Sequence, residues 1–224
     1  MNNNIINVAI DGPAGAGKST VARGAAKQLG YIYVDTGALY RAIGVNALRN
    51  GVDTKDKAAV AASLDGVKVN LVFENGEQKV MLNGVDVSVE IRTPEASMAA
   101  SDVSAVPEVR AFLFDLQRDI AKRNSCIMDG RDIGTVVLPQ AQVKIFLTAS
   151  PEIRAERRYK ELIEKGSEVD YQSVLDDIIK RDYNDSHREI APLKPAEDSV
   201  LFDTTGLALD ESVAAITKII KEKI

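Results

Sequence analysis

Short apolar runs bounded by turn residues alternate along this chain with longer stretches of helical period. Ile5–Ile10, Tyr31–Val34, Ser125–Met128, Val143–Leu147 and Ser199–Phe202 read as strands. Strands that alternate with helices predict a parallel sheet with crossover helices, the α/β class. Leu39, Ile43 and Leu48 fall at helical spacing, and Asn50-Gly51 follows as a C-terminal stop. Ser150-Pro151 offers an N-cap and first helical position. A last helix begins near Asp210 and lines up Val213, Ile216, Ile220 and Ile224.

One region breaks the alternation. Val67–Phe73 and Gln78–Leu82 read as strands with Glu74-Asn75-Gly76-Glu77 as a hairpin turn, and Asn83-Gly84 leads into a third short strand, Val85–Val89. This is a three-stranded antiparallel insert in an α/β domain, carried by residues 38–97. No internal repeat or low-complexity tract occurs, and Ala191-Pro192-Leu193-Lys194-Pro195 forms a stiff connector.

Composition narrows the class. For 224 residues, surface scaling allows about 70% of the extended chain's surface to be buried. That supports one elaborated domain, 1–224, with one sizeable core. Hydrophobic residues at 45% and charged residues at 27% exclude wholesale disorder. The net charge of −5, with no Trp, argues against a nucleic-acid partner. One cysteine, Cys126, excludes a disulfide framework, and one histidine, His187, leaves little for a His-based zinc site or a Ser-His triad. Neither a basic leader nor a membrane-length apolar run is present, so the expectation is a cytoplasmic protein without membrane contact.

The chemistry concentrates in a few motifs. Gly12-Pro13-Ala14-Gly15-Ala16-Gly17-Lys18-Ser19 fills every fixed position of G-x-x-x-x-G-K-[ST], after an apolar strand and before a helical run. Loop N–H groups and a helix start suit phosphates, Lys18 adds a mobile charge, and the Ser19 hydroxyl can ligate Mg²⁺. Thr20 stands where a dinucleotide-binding motif would need its third glycine. The pattern points to ATP with Mg²⁺, bound by residues 12–20.

Asp129-Gly130-Arg131-Asp132 ends a strand at the edge where doubly wound sheets bind ligands. Asp129 is the candidate carboxylate on the metal side, with a tight turn held by an Asp–Arg pair as the plainer reading. Arg154, Arg157 and Arg158 share a helix face, either solvated and neutralised by Glu152 and Glu156 or acting as a cationic lid. Arg181, Asp185 and Arg188 form a stripe that suits either substrate or an ion-pair ladder. A phosphate acceptor needs no general base, but its charge demands several arginines.

These motifs, in order with Asp35-Thr36-Gly37-Ala38-x-Tyr40-Arg41, Glu90-Ile91-Arg92 and Arg181-Asp182-x-x-Asp185-x-x-Arg188, resemble bacterial cytidylate kinases over nearly the whole chain. The resemblance implies an adenylate-kinase-like core with a five-stranded parallel sheet, a three-stranded monophosphate-binding insert and a short helical lid near residues 150–170. It implies phosphoryl transfer from ATP to CMP and dCMP. It implies that Thr36, Ser101, Arg110 and Asp132 line a cytosine pocket. Arg41, Arg131 and Arg188 would lie at the acceptor phosphate or base edge, Arg181 and Asp185 at the sugar, and Arg154 and Arg158 at the transferring group. Tyr40 and Asp129 complete the implied substrate set, and Lys18 joins Arg131, Arg154, Arg158 and Arg188 as catalytic residues. The expected state is a monomer. A P-loop kinase of another small metabolite would need a carboxylate base beside a hydroxyl. A GTPase-like switch has only Asp203-Thr204-Thr205-Gly206 in its favour, and no N-K-x-D guanine reader exists.

Overall fold

The computed structural model describes residues 5–74, 77–164 and 166–224. The elements in chain order are β1 (Asn7–Asp11), α1 (Lys18–Leu29), β2 (Ile32–Asp35), α2 (Thr36–Arg49), α3 (Lys57–Ala62), β3 (Val69–Glu74), β4 (Glu77–Leu82) and β5 (Val85–Asp86). A 3₁₀ turn at Glu90–Arg92 precedes α4 (Pro94–Val103), α5 (Pro107–Arg123) and β6 (Cys126–Gly130). A π turn at Ile133–Val137 is followed by β7 (Val143–Thr148), α6 (Pro151–Glu164), α7 (Tyr171–His187), β8 (Val200–Asp203) and α8 (Leu209–Lys223). Five strands make the expected parallel sheet in the order β2-β6-β1-β7-β8, and β3-β4-β5 make the antiparallel one. β1 pairs with β7 from Val8↔Val143 to Asp11↔Phe146, which fixes where the loop after Asp11 starts.

The chain divides into two compact units, one built on Ile32–Cys126 and the other on Ile6–Tyr31 with Ile127–Ile224. In the first, Leu39 and Ile43 of α2 bury against a cluster with Val69, Val80, Leu82, Val109 and Leu113. That core extends past the 38–97 insert, because Val103, Val106 and the buried face of α5 belong to it. Leu48 is 45% exposed while its neighbour Ala47 is fully buried, because nine residues at about 100° each carry Leu48 to the helix face opposite Leu39, off the stripe its spacing implied. Gly44 lets α4 approach α2: a Cβ there would lie 2.8 Å from that of Ala99.

The antiparallel sheet has the expected order but a shorter third strand. β5 covers only Val85–Asp86 rather than Val85–Val89. The Asp86 carboxylate accepts the Ser88 N–H, and the Ser88 hydroxyl accepts the Val80 N–H in place of a ladder carbonyl. A local side-chain bond thus competes with the ladder and turns the backbone away. Asn75-Gly76, the centre of the expected hairpin turn, lies outside the described residues.

In the second unit Val8, Ile10, Ile145 and Leu147 are fully or almost fully buried, as are Ile216 and Ile220 of α8. Ile224 falls beyond α8 and is exposed. Gly24 of α1 accommodates Val213, whose Cγ2 would lie 2.8 Å from an added Cβ. α6 and α7 share a small apolar cluster of Ala155, Val174 and Ile178, with Tyr159 and Tyr171 edge to face at 6.0 Å. The Ser150 hydroxyl accepts the Ile153 N–H and so starts α6 as its sequence implied.

Candidate active site

The buried strand β1 delivers the chain to Gly12, whose φ is +151° and whose absent Cβ would lie 1.9 Å from the Leu147 carbonyl oxygen. Only glycine fits there. The loop ends at Gly17, the N-cap of α1, with φ 85° and no side-chain cap. The N–H groups of an uncapped helix start are the ones a phosphate takes up.

Lys18 is 6% exposed, and its ammonium donates to the Pro13 carbonyl at 2.7 Å across the loop. Burial disfavours that charge and Arg131 and Arg181 repel it, while Asp129 and Asp11 oppose them; the pKa lies well below the ordinary lysine value. The Ser19 hydroxyl donates to Asp129 Oδ2 at 2.8 Å. This hydroxyl–carboxylate pair suits a small hard cation that keeps waters and takes phosphate oxygens. Among the described residues no group of three His, Cys, Asp or Glu side chains gathers as an all-protein cage.

The arginines of this unit are held by specific partners. Arg131 Nε donates to Asp185 Oδ2 at 2.8 Å. Burial works against the Asp185 carboxylate, but the charge and hydrogen bond of Arg131, with the charges of Arg181 and Arg188 added, outweigh it and hold the pKa below the usual value. Arg188 lies just past the end of α7, so the Arg181-Asp185-Arg188 stripe does not run on as one helical face. Its Nη2 reaches Asp132 Oδ1 at 3.5 Å and its Nε donates to the Ala191 carbonyl. The tight Asp–Arg turn at residues 129–132 is not self-contained, because Arg131 pairs with α7.

α6 does not present one uniform basic face. Arg154 is 2% exposed. Its guanidinium donates to the Ala149 and Ala14 carbonyls at 2.8 and 3.0 Å, and forks onto Asp182 at 3.0 and 2.5 Å. Arg157 bonds the Thr204 hydroxyl and carbonyl, and that hydroxyl lies 3.4 Å from the Ala16 carbonyl. Arg158 is the outward one, paired with Glu161 at 2.8 Å. Glu156, a candidate neutraliser, bonds Lys160 instead.

In the other unit, Thr36 opens α2 and is 3% exposed. Asp35 caps that helix: Oδ1 accepts the Ala38 N–H, and Oδ2 accepts Arg41 Nη2 at 2.8 Å. Gly37 leaves room for this pair, since a Cβ there would lie 3.0 Å from Arg41 Nη1. The Gln78 carboxamide accepts the Asp35 N–H and donates to its carbonyl, tying β4 to the same cap. Arg110 lies with Cζ 5.8 Å over the Tyr40 ring and donates to the Ser104 carbonyl. Ser101 sits half-buried on α4.

The family model of cytidylate kinase matches residues 8–222. The chain belongs to the cytidylate kinase family. A cytidylate kinase of Caldicellulosiruptor bescii is 49% identical over 223 residues, covering 98% of this chain and 99% of its own length. A cytidylate kinase of Lactobacillus johnsonii is 53% identical over 221 residues, covering 99% and 96%. A solved structure of an uncharacterized protein from Eubacterium ventriosum shares the fold, with a TM-score of 0.53 at 13% identity, covering 96% of this chain and 98% of that one.

Within this cytidylate kinase fold, four residues at the site went unread in the sequence: Asp11, Arg157 as a loop contact, Asp182 and Thr204. Asp182 lay inside the Arg181-Asp182-x-x-Asp185 motif, and Thr204 inside the D-x-x-G match, so a signal existed for both. Asp11 had none beyond standing at the end of β1.

Proposed function

We propose that the chain transfers the γ-phosphoryl group of ATP to CMP and dCMP, giving ADP and the nucleoside diphosphate. The observation that carries this reading is the cluster of Lys18, Ser19, Asp129, Arg131 and Asp185 beside a glycine loop, in a chain of this family. An oxygen of the acceptor phosphate attacks the γ-phosphorus while the bond from that phosphorus to the β–γ bridging oxygen breaks. The acceptor is already anionic, so the protein's task is charge and alignment.

Gly12–Thr20 hold the triphosphate. Its charge favours the Lys18 ammonium that burial and the nearby arginines disfavour, and the ammonium then follows the charge shifting to the leaving oxygens. Ser19 and Asp129 would hold Mg²⁺, which neutralises phosphate charge when bound. Arg41, Arg131 and Arg188 hold the acceptor, and Arg181 and Asp185 meet its sugar. Arg154 and Arg158 act on the transferring group. Arg154 must exchange part of its Asp182 fork for phosphate oxygens, whereas the exposed Arg158 has only a surface pair to give up.

Thr36, Ser101, Arg110 and Asp132 read the base, with Tyr40 seating the Arg110 guanidinium. Cytosine offers an amino donor where uracil has a carbonyl oxygen. A carboxylate accepts only and a guanidinium donates only, so Asp132 and Arg110 suit cytosine and mismatch uracil. Buried polar partners reject the wrong base because they are left unpaired. ATP turnover against CMP, dCMP, UMP and AMP tests the reading. Turnover of CMP and dCMP is expected, with CMP favoured over UMP by at least ~10² in kcat/KM. AMP used as well as CMP would overturn the assignment.

A further inference from the structure

Asp11, the last residue of β1, has no part in the mechanism above, yet it is one of the most deliberately placed carboxylates in the molecule. It is 5% exposed, and its two oxygens accept the N–H groups of Ile133 and Gly134 at 2.7 Å each. Those N–H groups open the π turn that follows Arg131-Asp132.

A helix or turn start is normally satisfied by its own N-cap side chain. Here the N-cap is Asp132, with φ −146° and ψ 26°, and its carboxylate makes no capping bond. Its carbonyl still closes the turn, accepting the Val136 and Val137 N–H groups at 2.9 and 3.2 Å. Asp11 therefore supplies from β1 the acceptors that Asp132 would otherwise provide. The Asp132 carboxylate, not spent on capping, turns to Arg188 at 3.5 Å. Gly134 is part of the same arrangement: a Cβ there would lie 3.3 Å from Asp11 Oδ2 and 3.2 Å from Lys144 Cδ.

We propose that Asp11 is the positioning residue for base recognition: it caps the Ile133–Val137 turn in place of Asp132, so that the Asp132 carboxylate pairs outside the turn, with Arg188 and with the pyrimidine. This rests on the reading of Asp132 as a base contact. An Asn would keep one acceptor and turn an amide donor toward a backbone N–H. A fully buried carboxylate is the costlier residue, since burial, reinforced by the nearby Asp132, pushes it up to about 6 against the two N–H bonds. Two charge-assisted bonds to adjacent N–H groups are what that cost secures.

The test is a double-mutant cycle of Asp11→Asn and Asp132→Ala, read as kcat/KM for CMP and UMP, with the KM for ATP measured alongside. Asp11→Asn is expected to lower CMP kcat/KM about 10-fold, mostly through the KM for CMP, and UMP no more than about threefold. The KM for ATP should stay within about twofold, because the loop's own glycines are untouched and Lys18 keeps its Pro13 bond and the larger charge support of Asp129. In the Asp132→Ala background the same change should cost no more than about twofold. Equal factors in both backgrounds, or a KM for ATP that rises as much as that for CMP, would overturn the proposal. Should Asp132→Ala lower CMP and UMP alike, the base-reading role of Asp132 falls, and the coupling on CMP still decides whether Asp11 acts through it. Gly134→Ala crowds the same carboxylate from the other side and guards against an Asp11 variant that does not fold. It should narrow the CMP-to-UMP ratio too, and a folded Gly134→Ala protein with the wild-type ratio would count against the proposal.

Discussion

Lys18 spans the phosphate loop to the Pro13 carbonyl, with its charge disfavoured by burial and by two arginines. Such an ammonium gains most where negative charge grows, which is the transition state. Lys18→Ala should lower kcat by roughly 10²-fold or more, about 3 kcal/mol; a steady-state assay retaining a tenth of the wild-type kcat would show a loop that binds without catalysing. Asp185 tests the acceptor side. Removing it takes away the partner of Arg131, 2.8 Å away, and with it the sugar contact proposed for this carboxylate. Loss of a charge-assisted bond costs about 1.5–3 kcal/mol. Asp185→Ala should therefore lower kcat/KM for CMP and dCMP by similar factors of roughly 10 to 150, since the 3′-hydroxyl is common to both. Wild-type values for both substrates would leave Asp185 as a structural partner of Arg131 alone.

Elements carry these side chains into place, and their identity was largely legible in the sequence. The five parallel strands, the three-stranded sheet and the helix after Ser150-Pro151 follow from apolar runs and turn residues, which are local properties. The phosphate loop was legible because glycine, lysine and serine are required at fixed offsets. Choice of partner was not. Nothing within a few residues of Arg154 says that its guanidinium will fork onto Asp182, or that Arg157 will meet Thr204. The end of β5 was missed because one Asp86–Ser88 bond outweighs β-propensity. Close packing of α2 on α4 is a further case, read only in three dimensions. Gly44→Ala should gain helix propensity of about 1 kcal/mol, but its Cβ would lie 2.8 Å from that of Ala99 and 3.2 Å from the Ala100 N. Overpacking costs about 1–3 kcal/mol, so a net loss of about 1 kcal/mol is expected in urea unfolding. A variant more stable than wild type would mean that α4, which carries Ser101, moves aside without strain.

At the scale of the whole molecule, buried carboxylates of opposite character set how stability responds to acid. Asp185 is held below its ordinary pKa of 3.8, so its contribution is present above that value and is lost only at more acid pH. Asp11 behaves in the opposite sense. Its pKa rises from 3.8 unfolded to about 6 folded, so the native state binds the extra proton. Its contribution is full below pH 3.8 and is lost as pH rises through about 6. Asp132 adds to the upward shift and Lys18 opposes it, and both remain when Asp11 is replaced by Asn. Comparing wild type with Asp11→Asn at each pH therefore removes, to first order, every titration except that of Asp11. From pH 7.5 to 4.5 the wild-type protein should gain about 2 kcal/mol relative to the variant, with most of the change below pH 6. Chemical unfolding at several pH values measures it. A flat difference would mean that Asp11 titrates as an ordinary carboxylate, its two backbone bonds offsetting the burial, and a difference of opposite slope would mean that they outweigh it. The expected slope makes Asp11 a group that costs stability at neutral pH, which is the pattern of a residue kept for where it holds the Asp132 turn rather than for the strength of the fold.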